Sequence, residues 1–245
     1  HLKIKRMELM KFKAKSTISS RYECENSLKT NVSKGEVMSI IQCKNVDVKS
    51  VKQEKFLEIQ LMVKGMGNIY DSLDYFIQVE ELTGDNKYEA DSFGKQDAEK
   101  YCLFSKLPPI LLIHLKRFEY DYNTDTNVKI NDYCQYYDEI DLEKYMTENH
   151  EQETKYKLFS VLVHSGTGTG SGHYYAFIKT ANGRRWFKMN DELVSTAEPE
   201  EVFEANFGGT HTEAKLNDSI EIFWEISLTK FLNREGDFNM GSNER

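Results

Sequence analysis

Strict alternation marks residues 57–63, where Leu57, Ile59, Leu61 and Val63 are interleaved with Glu58, Gln60 and Met62. A period of two puts the first set on one face of a β-strand, against a core. The same spacing returns near the far end, where Ile220, Ile222 and Trp224 alternate with Glu221, Phe223 and Glu225 and predict a closing strand. VMSIIQC at 37–43, YYAFI at 174–178 and RRWFKM at 184–189 also read as strands, the last two joined by a turn at 180–183 with Asn182 and Gly183 as turn residues. The segment from Pro108 to Tyr120 is apolar on both faces and predicts a long strand at the centre of a sheet. Between these runs, the charged stretch 44–55 reads as an extended hairpin tip and DYNTDTNVKIND (121–132) as a hairpin.

Helical spacing is rarer. Residues 2–15 set Ile4, Met7, Leu9, Met10 and Phe12 among lysines, and a polar, serine-rich loop follows to residue 36. A second helix is predicted over 69–82, with Ile69, Leu73, Phe76 and Val79 facing the core. Asn68 is placed to cap it, and Asp71 stands at the third helical position to complete a capping box. The acidic stretch 137–153 reads as a solvated helix or loop, EEVFEANFGG (200–209) as a short helix, and 233–245 as a loose tail. The balance predicts an α+β fold dominated by antiparallel strands.

Composition narrows the function. A chain of 245 residues that is 39% hydrophobic and 12% aromatic supports a substantial core. A net charge of −8 argues against nucleic acid and suits a basic partner. No apolar run approaches the length of a membrane span. Four scattered cysteines, Cys24, Cys43, Cys102 and Cys134, read as free thiols of an intracellular protein, in the cytoplasm or nucleus. The chain opens on His1, which is expected not to be the first residue of its gene.

The chemistry concentrates at residues 158–195. His173 precedes one predicted strand, and Asn190 and Asp191 end the next, 17 residues later. Adjacent strands can thus bring an imidazole against an amide or carboxylate, two members of a Cys-His-Asn/Asp triad, in which the third group holds the ring tautomer that accepts a thiol proton. Glycines 166, 168, 170 and 172 invite a phosphate-loop reading, but no GK[ST] follows and the next element is a strand. His114 reads as a packed strand residue, His164 as support at most, and Cys24 as an ordinary loop thiol.

GHYY (172–175) followed by WFKMNDELVS (186–195) resembles the histidine box of the ubiquitin-specific proteases, and LPPILLIHLKRF (107–118) the strand motif that precedes it there. IIQCKNVDVKS (40–50), TGDNKYEAD (83–91) and TDTNVKIND (124–132) add to a resemblance that runs over roughly residues 37–226. It implies a papain-like palm and fingers with the helical thumb largely missing. Residues 1–232 would be a partial catalytic domain, with a leading helix and loop at 1–36, fingers and helix at 37–106, a palm at 107–232, and a flexible tail at 233–245. It implies deubiquitination, with ubiquitin and ubiquitinated proteins as partners, His173 as general base, Asn190 orienting it and Asp191 assisting. Phe118 and Tyr174 would line the path of the ubiquitin tail, under the glycine-rich loop as a lid.

Two departures from the family pattern stand out. The paired cysteines that hold a structural zinc in many members are here Cys43 with Val46, and Ala90 with Phe93, so neither a metal nor a cofactor is expected. The cysteine box, which reads like G-x-x-N-x-G-x-T-C-x-M-N, has no counterpart. The expectation is a C-terminal part of a catalytic domain whose nucleophile lies outside this chain. The alternative is an inactive ubiquitin-binding or regulatory module of the same fold.

Overall fold

The computed structural model describes residues 32–166, 172–180 and 185–209, with the backbone of 217–226. β1 (Gly35–Cys43), β2 (Lys49–Phe56) and β3 (Ile59–Met62) lead to α1 (Ile69–Phe76). β4 (Glu80–Leu82), the short pair β5 (Tyr88–Glu89) and β6 (Lys95–Gln96), β7 (Ala98–Lys106) and β8 (Ile110–Lys116) follow. Next come β9 (Phe118–Asp121), β10 (Thr126–Lys129), β11 (Glu139–Asp141), β12 (Lys155–Ser165) and β13 (His173–Lys179). β14 (Trp186–Asn190), β15 (Leu193–Ala197), α2 (Pro199–Val202) and β16 (Asn217–Ile226) complete the order.

Two sheets organise these elements. A four-stranded sheet runs β2-β1-β7-β4, and an eight-stranded one runs β15-β14-β13-β12-β16-β8-β3 with β11 hydrogen-bonded to β12. Pairing is antiparallel except between β3 and β8. The hairpin β9–β10 forms a two-stranded sheet of its own.

The larger sheet is buried on both sides. One face carries Leu111, Ile113 and Leu115 of β8, Val161 and Val163 of β12, and Tyr175 and Phe177 of β13, covered by Ile69 and Leu73 of α1. The other carries Leu112, Leu162, Ala176 and Ile178. Burial on two faces explains why β8 and β12 are almost continuously apolar in sequence. α1 begins where the capping box is complete: Asn68 Oδ1 accepts from the Tyr70 and Asp71 amides while an Asp71 carboxylate oxygen accepts from the Asn68 amide.

Several boundaries differ from the sequence pattern. α1 stops at Phe76, because residues 80–82 pair with β7, and Val79 is exposed instead of core. Tertiary pairing there overrides helical periodicity. The charged stretch contributes β2, an edge strand whose lysines and glutamates face water and discourage further strand pairing. The long strand breaks at Arg117 into β8 and β9, and β8 lies one place in from the sheet edge. Residues 137–153 are not a solvated segment: Ile140, Leu142, Tyr145 and Met146 are buried, and β11 pairs with β12. The leading helix, Cys24, the 180–183 turn residues Asn182 and Gly183, the middle of the glycine-rich loop and the tail lie outside the described residues.

Cys43 packs with Ala90 and Ala98, flanked by Ile41, Val46, Val48, Leu82 and Tyr88. Val46 and Ala90, two of the positions where zinc ligands would be needed, fill this small apolar cluster, so the residues present do not fit a four-ligand metal site. No group of three or more His, Cys, Asp or Glu among the described residues is arranged to hold a metal ion. No helix among them is long and apolar enough to cross a membrane.

Candidate active site

β13 and β14 lie side by side, and their alternation decides which side chains meet. Tyr175 and Phe177 of β13 and Trp186 of β14 belong to one buried face, so His173, two residues from Tyr175, and Asn190, four from Trp186, share it at its open end. There the His173 Nε2 is hydrogen-bonded to Asn190 Oδ1. An amide oxygen can only accept, so Nε2 carries the hydrogen and Nδ1 keeps its lone pair. The His173 side chain is 48% exposed.

Asp191 stands in the two-residue turn between β14 and β15, with a φ of 53°. Aspartate tolerates this left-handed conformation better than most residues. One of its carboxylate oxygens, Oδ2, lies 3.6 Å from His173 Nε2. The three residues His173, Asn190 and Asp191 are therefore brought together.

Phe118 and Tyr174 are brought together elsewhere. Tyr174 is the register partner of His164, and their ring centroids are 4.7 Å apart. The Phe118 ring stands edge-on to the His164 ring, with centroids 5.6 Å apart. Alternation along β12 and β13 sets His164 and Tyr174 with Leu162 and Ala176, on the sheet face opposite the His173 side chain. His164 is buried.

None of the described thiols is bonded to His173. Cys43 sits in the apolar cluster, Cys102 Sγ donates to Phe76 O at 3.1 Å, and Cys134 Sγ lies 3.9 Å from Ser72 Oγ. Burial pushes the Cys102 and Cys134 thiols up, which keeps both protonated and poorly nucleophilic.

Two cations that lie within the 107–118 and 124–132 motifs have roles that the sequence does not single out. Arg117 is fully buried, and its guanidinium donates to Ile130 O at 3.2 Å, Asp132 O at 2.8 Å and Phe207 O at 3.0 Å. Lys129 Nζ donates to His164 O at 3.2 Å and Gly166 O at 2.7 Å. A lysine in a charged hairpin and an arginine at a strand end look like surface residues until the chain is folded.

The family model described as ubiquitin carboxyl-terminal hydrolase matches residues 6–211. The chain is 43% identical over 183 residues to ubiquitin carboxyl-terminal hydrolase 7 of Drosophila melanogaster, covering 75% of this chain and 16% of that protein. It is 42% identical over 205 residues to ubiquitin C-terminal hydrolase 12 of Arabidopsis thaliana, covering 81% of this chain and 18% of that protein. The chain thus spans less than a fifth of the length of these relatives. Among solved structures, the SAGA Ubp8/Sgf11/Sus1/Sgf73 DUB module bound to ubiquitin aldehyde matches with a TM-score of 0.67 and 28% identity, over 85% of this chain and 44% of that one. The α+β arrangement, mostly antiparallel with few helices, is the papain-like fold of these proteins.

Proposed function

The chain belongs to the ubiquitin carboxyl-terminal hydrolase family, and from that premise we propose that it supplies the histidine half of a thiol-protease centre that releases ubiquitin from its conjugates. The observation that carries this reading is the contact of His173 Nε2 with Asn190 Oδ1, made from the ends of adjacent strands. It leaves His173 Nδ1 as the basic atom.

In the proposed reaction, Nδ1 accepts the proton of a cysteine thiol supplied from outside the 245 residues. The thiolate attacks the carbonyl of ubiquitin's terminal glycine, and the imidazolium then protonates the leaving amine. Water, deprotonated by the same nitrogen, cleaves the thioester and frees the thiol. Asn190 holds Nε2–H throughout, and Asp191 offsets the positive charge that the ring gains. Phe118 and Tyr174 line the route of the ubiquitin tail beside the glycine-rich segment. Ubiquitin and ubiquitinated proteins are the partners, inside the cell. The motifs at 40–50, 83–91 and 124–132 favour the herpesvirus-associated branch of the ubiquitin-specific proteases.

The test joins the chain to a segment bearing the family's cysteine box and reacts the product with ubiquitin carrying a C-terminal electrophile. Labelling that is fast with His173 and at least about a hundredfold slower with His173→Ala supports the reading. Equal rates abandon it. Ubiquitin binding with no labelling by either form would favour the second reading, a binding module, which the remote positions of the described thiols also suit.

A further inference from the structure

His173 is the first residue of β13, and its backbone is registered on one side only. β13 pairs with β14 from Ala176 onward, whereas His173, Tyr174 and Tyr175 pair with Ser165, His164 and Val163 of β12. The backbone that carries the imidazole therefore follows the last residues of β12. Those residues are gripped from outside the sheet.

We propose that Lys129 is a positioning residue for His173, fixing the end of β12 on which the histidine is registered. The proposal rests on the reading of His173 as general base. Lys129 Nζ donates to His164 O at 3.2 Å and to Gly166 O at 2.7 Å, so its two acceptors bracket Ser165, the register partner of His173. A charged donor makes stronger hydrogen bonds to carbonyls than a neutral one, and the lysine is half-buried, where water competes less.

The hairpin holds on at a second point. Phe118 is the register partner of Lys129 across β9 and β10, and its ring meets the His164 ring edge-on at 5.6 Å. One rung of a separate two-stranded sheet thus seizes residue 164 by its ring and residues 164 and 166 by their carbonyls. The hairpin is itself anchored: Ile130 N donates to Arg117 O at 2.6 Å, and Arg117 Nη1 donates to Ile130 O at 3.2 Å. The tie therefore runs from a buried arginine, through the hairpin, to the strand that sets the imidazole. A misplacement of about 1 Å at a reacting group costs about a hundredfold in rate, so a tie of this kind is felt in turnover.

Lys129→Met keeps the aliphatic stem and removes the donor, and Lys129→Arg keeps a donor of similar reach. In the 245-residue chain, side-chain nitrogen NMR of His173 and hydrogen exchange of residues 164–166 and 173–175 are measured for both. The expected result is one dominant Nε2–H tautomer in the parent chain, a mixture of tautomers and about tenfold faster exchange in a folded Lys129→Met, and recovery in Lys129→Arg. Parent-like tautomer and exchange in Lys129→Met overturn the proposal. So does loss of the cooperative melt in both Lys129→Met and Lys129→Gln, since the lysine would then hold the fold and not the histidine. Joined to the thiol-bearing segment, Lys129→Met is expected to lower kcat about tenfold at unchanged KM. A rate insensitive to His173→Ala defeats the base assignment, while an unaltered imidazole in Lys129→Met defeats only the tie.

Discussion

Asn190, at the last position of β14, holds by its side-chain oxygen the ring of His173, 17 residues earlier at the first position of β13. The contact fixes which imidazole nitrogen is basic. Asn190→Ala in the thiol-complemented chain is expected to lower kcat by about ten- to a hundredfold, through loss of the tautomer and orientation, with KM little changed. Asn190→Asp, which can still accept from Nε2, is expected to retain most of the rate. Asp191→Asn should cost less than Asn190→Ala, because Asp191 acts by charge at 3.6 Å and at a 60% exposed site. Steady-state kinetics on the three variants check the ranking.

Gly172 precedes the histidine with a φ of 155°. A Cβ built there would meet His164 Nε2 at 2.1 Å and Ser165 O at 2.9 Å. Gly172→Ala must therefore push on the strand that registers His173. About 1–3 kcal/mol of destabilisation is expected from strain and overpacking, measured by urea unfolding, with a larger fractional loss of activity.

Arg117 pairs with three backbone carbonyls at full burial. Arg117→Met removes every one of those donors and leaves buried acceptors behind, at about 1–3 kcal/mol each. The midpoint of urea unfolding should fall by more than for any exposed lysine variant. Arg117→Lys should rescue little, because a point ammonium cannot reach acceptors spread around a planar fork.

Chelation provides a check on the finger cluster. Treatment with a strong chelator is expected to leave the thermal midpoint unchanged, since Cys43 sits among apolar groups. Cys43→Ala should cost about 1 kcal/mol, the scale of a small buried apolar group.

Acid sensitivity should trace in part to Asp74. The Lys144 ammonium first, and the Tyr145 hydroxyl second, hold its carboxyl below the usual value of 3.8. A depressed folded-state value means that the stabilisation is complete above 3.8 and fades as pH falls through the lower folded value. Asp74→Asn is expected to flatten the acid side of the stability curve below about pH 4. The side chain is 49% exposed, so the effect is a modest one, read from unfolding midpoints across pH.

Periodicity exposed in the sequence what the sheets bury. The alternation at 57–63 became β3 from Ile59 on, with Leu57 left exposed before the strand begins, and the two-faced run at 108–120 became β8 and the start of β9. The pattern misjudged 137–153, where Ile140, Leu142, Tyr145 and Met146 are spaced by no regular period yet all turn inward. It also extended α1 past Phe76, since nothing local shows that Glu80 will pair with Lys100. His173, Asn190 and Asp191 were legible through motif and spacing. Lys129 and Arg117 lie within quoted motifs, but what they hold was not legible, because their partners are backbone carbonyls, and a carbonyl leaves no residue-type signature.

The strand order of the larger sheet has a consequence for synthesis. β16 lies between β8 and β12, hydrogen-bonded to both, although it begins about a hundred residues after β8 ends and about fifty after β12 ends. Until residues 217–226 have left the ribosome, the half of the sheet with β3 and β8 has no backbone ladder to the half with β12 and β13. The nascent chain must wait with two apolar strand edges open, in the state that chaperones recognise, and the strand that registers His173 gains its second neighbour only when β16 emerges.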